Sequence, residues 1–372
     1  MNKARQNMSK VALYDASYQN IREIVAQVFR DFPLELKGKK VLVKPNMLGP
    51  FPVERLITTD PSLVKAVVEE LEERGAEIIV GDNPGMRGYG SNVESGRRSG
   101  ILDAAGDYFK NIGINAVSKS INSRFIDSVL ISKEVLEADL YISLPKFKTH
   151  LVTTITAGVK NSFGILVGGQ KAELHRRARA YEDFGEMVAD VYSIRPPDLV
   201  IVDGVVAMQG NGPSDGSPYN LGKVIAGRNG VEVDAILSLM IGVAPESIHT
   251  LRAAAAKGLG QIDPKEIEVA GEVPQLEDFQ SPSTHSAGGD LRTFLARLLT
   301  YVAVSQPVVN KEKCTACGEC ARFCPLEAIT LDPFPQIDAK KCIYCFCCHE
   351  HCPAGAMEVA KHVRFLRRRF NY

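Results

Sequence analysis

The first 313 residues of this 372-residue chain contain no cysteine, and all nine cysteines lie between Cys314 and Cys352. One part of the chain has a use for sulfur and the rest does not. Excess charge is also missing. Lys plus Arg number 44 and Asp plus Glu 44, so no overall field draws the chain to nucleic acid, and no nucleic-acid partner is expected. No apolar run approaches the roughly 18 residues of a membrane helix, and the opening MNKARQNMSKVALYDASYQN has no stretch of signal-peptide length. A cytoplasmic protein without a membrane span is expected. Standard catalytic loops are absent too: there is no GxxxxGK[ST], and the glycine-rich segment 210–216 is broken by Pro213 and opens no helix. Without a G-x-S-x-G elbow or a cysteine in the first 313 residues, the usual agents of acyl chemistry are lacking.

What is present reads as two folded parts. A hydrophobic content of 45% with 24% charged residues suits a soluble globular chain. Over the first 270 or so residues, short β-branched runs alternate with amphipathic helical stretches, the pattern of an α/β domain on a mostly parallel sheet with flanking helices. Expected strands are 11–15, 41–44, 77–81, 139–144, 199–203, 222–226 and 267–270. Pro61 opens a crossover helix with apolar Leu63, Val64, Val67, Val68 and Leu71 at helical spacing and Gly75 as the stop. Further helices are expected over 182–194, 231–241 and 245–257. The Ser-, Pro- and Gly-rich segment 275–290 reads as a linker, and 291–304 as a helix leading onward. The resulting division is an α/β domain over 1–274, a linker and connecting helix over 275–306, a small α+β cysteine domain over 307–360, and a basic tail over 361–372.

The cysteine domain is an internal duplication. Cys314-x-x-Cys317-x-x-Cys320-x-x-x-Cys324-Pro is followed by Cys342-x-x-Cys345-x-x-Cys348-x-x-x-Cys352-Pro. Zinc sites use paired CxxC motifs rather than this triplet followed by Cys-Pro, and cytoplasmic chains rarely keep disulfides. Both runs resemble the bacterial two-cluster ferredoxin motif, in which the fourth cysteine of each run serves the other cluster. The resemblance implies two [4Fe-4S] clusters, one on Cys314, Cys317, Cys320 and Cys352, the other on Cys342, Cys345, Cys348 and Cys324. It also implies a soluble electron donor or acceptor as partner. Cys347 fits no motif position and reads as a bystander thiol. His349 and His351 flank the second run, either tuning a cluster or standing solvated beside it. Residues 307–360 carry 5 basic and 7 acidic side chains, whereas the tail adds 5 basic and none acidic. With its interleaved apolar residues, that tail is a candidate docking segment for a partner.

In an open α/β sheet, ligands gather beyond the carboxyl ends of the strands. Here those ends run into Lys44-Pro45-Asn46, Asp82-Asn83-Pro84-Gly85, Lys146-Phe147-Lys148-Thr149-His150 and Asp203-Gly204. Asp82, Asn83, Gly85 and Gly204 are ordinary turn formers. Lysine is not, so Lys44, Lys146 and Lys148 beside His150 suggest a cationic pocket for an anionic small molecule. The small and hydroxyl-bearing stretch 153–164, with Lys160 and Asn161, suits a ligand-contacting loop. His175 and His249 stand alone in helical surroundings and read as structural.

The set VLVKPN, LPKFKTH, TAGVKNSFG and the Asp-Gly at 203–204 resembles the DUF362 family, domains of unknown function, many of which carry a C-terminal ferredoxin module. The likeness covers about residues 10–270 and supports the site's location more than any reaction. It marks Lys44, Asn46, Thr149, Lys160 and Asn161 as substrate-binding candidates, with Lys146, Lys148 and His150 as catalytic candidates and His150 or a lysine as proton donor. Three functions remain open: an iron–sulfur oxidoreductase acting on a ligand in the lysine pocket, an electron-transfer subunit whose catalytic partner is another protein, and a non-redox enzyme with structural clusters.

Overall fold

The computed structural model describes residues 9–85, 91–178, 180–284 and 301–365. In the large domain the strands are β1 (Ser9–Asp15), β2 (Lys40–Pro45), β3 (Glu77–Val80), β4 (Ala116–Ser120), β5 (Ser128–Ser132), β6 (Leu140–Leu144), β7 (Lys146–His150), β8 (Thr154–Thr156), β9 (Leu199–Asn211), β10 (Asp215–Gly227) and β11 (Ile267–Ala270). The central sheet runs β11-β1-β10-β9-β6-β2-β3. Along this path pairing is parallel from β9 through β6 and β2 to β3 and between β1 and β11, and antiparallel where β10 meets β1 and β9. The mostly parallel α/β sheet expected from the sequence is therefore present.

Alternation of side chains along the strands builds a core on each face. Leu42, Tyr141, Val200 and Val202 join one apolar cluster, while Val41, Val43, Ile142, Leu199 and Ile201 join the other. Each buried aliphatic side chain contributes roughly 1.5–3 kcal/mol. The crossover helix Pro61–Glu73 shows how the local signals act: Asp60 caps it by accepting from Ser62 N, Pro61 supplies the first turn, and its apolar face is buried. Helices Tyr181–Ile194, Gly230–Met240 and His249–Ala256 cover the first cluster; the expected 245–257 helix is split, with a 3-10 turn Pro245–Ser247 ahead of it.

β7 was expected to be the loop after a strand. Pro145 interrupts the chain after β6, and the following residues re-enter the sheet, pairing parallel with β9 and antiparallel with β8.

The cysteine domain contains β12 (Tyr301–Val309), β13 (Ile329–Asp332), β14 (Phe334–Ile337) and β15 (Met357–Phe365), paired as two antiparallel ribbons, β12-β15 and β13-β14. Residues 301–304, expected to end a helix, belong to β12, and 291–300 lie outside the described residues. Likewise 361–365 of the basic tail extend β15, and 366–372 lie outside the described residues.

Candidate functional site

The two cysteine runs fold alike. Ala316 and Gly318 in the first loop and Tyr344 and Phe346 in the second have positive φ, which turns each loop back on itself before a short helix, Glu319–Arg322 or Cys347–Glu350. One cavity of about 310 Å³ is walled by Cys314, Cys317, Cys320 and Cys352. A second, of about 350 Å³, is walled by Cys324, Cys342, Cys345, Cys347 and Cys348. The first cavity thus takes three cysteines from one run and a fourth from the other; the second does the same with Cys342, Cys345, Cys348 and Cys324, and adds Cys347. Backbone N–H groups of Ala328 and Ala356 donate to Cys324 and Cys352 Sγ at 3.2 and 3.1 Å, as they would to a metal-bound sulfur. Among the described residues no three His, Cys, Asp or Glu side chains converge closely enough to hold a single metal ion. Sulfur donors arranged around a cavity fit a polynuclear cluster rather than a lone ion.

The second cysteine loop is pressed against the large domain. Tyr344 and Phe346 join the large domain's apolar cluster. Phe346 is buried at a positive φ of 59°, where a non-glycine residue is costly; its packing offsets that strain. His349 reaches Asn211 O at 3.2 Å and His351 reaches Gly85 O at 3.0 Å. These two histidines therefore tie the cysteine domain to the sheet's carboxyl edge.

Between the domains lies a cavity of about 780 Å³. The large domain lines it with Asn46, Asp82, Asn83, Lys148, His150, Lys160, Asn161, Phe163, Lys171 and His175, and the cysteine domain with Phe323, Cys347, Glu350 and His351. Cys347, the residue without a motif position, stands in the walls of both this cavity and the second cysteine cavity.

The expected site residues separate into those that face this cavity and those that do not. Lys44 is fully buried behind the wall, paired with Asp82 at 2.8 Å and donating to Asn161 Oδ1 at 3.0 Å. Gly164 is needed there, since a Cβ would sit 2.6 Å from Lys44 Nζ. Lys146 is spent elsewhere, at 2.9 Å from both Asp203 and the Tyr18 hydroxyl. Thr149 accepts from Gly212 N and holds the β9–β10 turn. Asn46 lines the cavity, and its buried Oδ1 has no partner among the described residues.

Lys148, His150, Lys160 and Asn161 do line the cavity. His150 Nδ1 accepts from Val152 N and Thr153 N, leaving the proton on Nε2, 3.5 Å from Glu350 Oε1. Burial, with nearby lysines, holds the His150 imidazolium well below its usual range. Burial likewise pushes Lys148 down to about 7 and Lys160 to about 8, and the Glu350 carboxyl is raised by its own burial.

Lys171 and His175 were missed as site residues. They lie on helix Gln170–Arg177, whose sequence resembles a charged surface helix. Lys171 donates to Asn83 O and is pushed by burial to about 7. His175 packs against Phe184 with ring centroids 4.2 Å apart, and burial lowers it to about 3. Glu350 was also missed, because it looks like a spacer between two cysteines. Only the strand-end positions Asp82, Asn83 and Gly85, read as turn formers, hinted at this side of the cavity.

Comparison with known proteins places the chain. The model described as "Domain of unknown function (DUF362)" matches residues 41–238. The chain belongs to the DUF362 family. A 4Fe-4S binding domain matches residues 307–330, which span the first cysteine run, so this DUF362 member carries an iron–sulfur domain of ferredoxin type. The DUF362 chain is 32% identical over 223 residues to the thylakoid-associated protein sll1697 of Synechocystis sp., covering 60% of this chain and 69% of that one. Among solved structures, a Thermotoga maritima protein aligns at 12% identity and TM-score 0.36 over 52% of this chain and 51% of its own. The lactate racemase apoprotein of Thermoanaerobacterium thermosaccharolyticum aligns at 14% and TM-score 0.38 over 59% and 54%. The chain spans about half the length of each of these two structures. Among the described residues no helix is long and apolar enough to cross a membrane.

Proposed function

We propose that this DUF362 protein is an iron–sulfur oxidoreductase with two [4Fe-4S] clusters that acts on an anionic small molecule held in the cavity between its domains. The observation that carries the reading is Cys347, whose side chain borders both the second cysteine cavity and the lysine-lined one. When bound, [4Fe-4S] clusters supply one-electron transfer with little rearrangement. Cys314, Cys317, Cys320 and Cys352 would hold one, and Cys324, Cys342, Cys345 and Cys348 the other.

The chain's own residues do the rest. Lys148, Lys160 and Lys171 bind the anion, since none of the three has a carboxylate within 4.0 Å among the described residues. Asn46 and Asn161 add polar contacts at the cavity wall. His150 keeps a proton on Nε2, and Glu350 faces it; together they hold the proton a reduced product needs. The cysteine domain closes the cavity against bulk water. A soluble donor meets the exposed loop around Cys317.

Anaerobic redox titration with electron paramagnetic resonance, alongside iron and sulfide analysis, tests the reading. About eight irons per chain and a signal perturbed by an added dicarboxylate are expected. Reducible clusters indifferent to every anion would instead indicate a carrier whose catalytic partner is another protein.

A further inference from the structure

Of the three lysines in the cavity, two are already engaged. Lys148 Nζ donates to Ile57 O at 2.6 Å, and Lys171 Nζ donates to Asn83 O. Lys160 has no hydrogen-bond acceptor and no carboxylate partner among the described residues. Its ammonium lies over two rings instead, 4.2 Å from the Phe163 centroid and 5.2 Å from that of Phe184.

The backbone beneath it is held firmly. Lys160 belongs to the short helix Gly158–Asn161, whose first N–H groups, of Gly158 and Val159, donate to the buried Asp234 carboxylate at 2.6 and 3.0 Å. An amine with no partner, fixed backbone support, aromatic walls and two neighbouring cationic side chains is the environment that makes a lysine nucleophilic.

We propose that Lys160 Nζ forms an imine with the carbonyl carbon of a 2-oxo acid or similar oxo-anion whose anionic group rests on Lys148 and Lys171. The inference builds on the reading of the cavity as an anion site and names the substrate class. In the step, the neutral amine adds to the carbonyl carbon, a C=N bond replaces the C=O bond, and the oxygen leaves as water carrying one proton from the amine and one from solvent, so that the nitrogen is left as a protonated iminium. No oxidant or reductant is consumed. The iminium carries a positive charge above the Phe163 and Phe184 rings, so the aromatic wall that accommodates the ammonium also stabilises the product.

The electrostatics agree. Burial pushes Lys160 down to about 8, so near neutral pH about a tenth is the free amine, far more than an ordinary lysine holds. The groups that bear on it are Glu350 and Cys347 from the cysteine domain and Lys44 from β2. Lys148 and His150 on β7, with Lys171 and His175 on helix Gln170–Arg177, complete its surroundings.

The test is reductive trapping on the anaerobically purified full chain, with glyoxylate or 2-oxoglutarate plus cyanoborohydride at neutral pH and peptide mass spectrometry as readout. The exposed Lys119 and Lys265 serve as internal references. Lys160 is expected to be labelled at least about tenfold faster than either, because ordinary lysines hold far less free amine at that pH. Malonate, an anion without an aldehyde or ketone carbonyl, should suppress this labelling, and Lys160→Arg should abolish it while leaving the reference lysines reactive. Labelling of Lys160 no faster than Lys119, in protein that still binds malonate by calorimetry, overturns the imine and leaves the anion site standing. Failure of malonate and both oxo acids to bind overturns the anion-site reading and the imine with it.

Discussion

At the scale of single residues, three strand-end lysines have become two different kinds of object. Lys44 and Lys146 are each neutralised by a buried carboxylate, at 2.8 and 2.9 Å, whereas Lys148 has only a carbonyl to donate to. Since burial sets Lys148 and Lys171 at about 7 and Lys160 at about 8, their charged forms fade as pH rises through that range. An anion favours the charged forms, so binding takes up protons there. The affinity for malonate should therefore fall between pH 6.5 and pH 9, by roughly tenfold if Lys160 must be charged and by nearly a hundredfold for each of Lys148 and Lys171 that must be, and calorimetry in buffers of different ionisation enthalpy should record proton uptake near pH 8. Affinity that is flat or rising with pH would exclude these lysines as the binding groups. The cluster of lysines at strand ends was legible in the sequence because lysine has no turn-forming role to explain it. Which of them face the cavity was not legible, because the partner that removes Lys146, Asp203, lies 57 positions away.

At the scale of elements, all seven expected strands and the crossover helix Pro61–Glu73 are present, since short β-branched runs and helix caps are local signals. β7 escaped notice because its sequence, KFKTH, carries charge at positions that are fully buried. Only tertiary pairing with β9 and β8 makes a strand of it. The short helix that carries Lys160 is held by a close backbone approach, equally invisible in sequence. A Cβ on Gly158 would lie 2.8 Å from the Gly230 Cα, too near for the two helices to remain seated. Gly158→Ala is expected to cost about 1–3 kcal/mol through overpacking. It should also slow the trapping of Lys160 relative to Lys119. A variant with unchanged thermal midpoint and unchanged trapping would show that the approach is not a constraint.

At the scale of the whole molecule, the cavity is composite: the large domain supplies the lysines, and the helix Cys347–Glu350 supplies the opposite wall. Two domains were legible from the distribution of cysteine, but not their contact, because Phe346 reads as a spacer within a metal-binding motif, and His349 and His351 read as cluster-tuning or solvated side chains rather than as links to the other domain. Removing iron with a chelator should loosen the second cysteine loop and release its hold on the large domain. Hydrogen exchange is then expected to quicken at the β9–β10 turn near Asn211 and at Gly85, while Val41–Val43 in the sheet interior stays protected. Equal exchange before and after chelation would mean the two domains hold together without metal. The two cysteine loops are also unequal in their surroundings: Cys317 is exposed, whereas Cys347 and Cys348 are buried. On the two-cluster reading proposed above, the domain is a conductor bare at one end and insulated at the other, with a direction built into its shape. Water and chance oxidants meet charge first at the outer end, and the inner end is reserved for whatever the cavity admits.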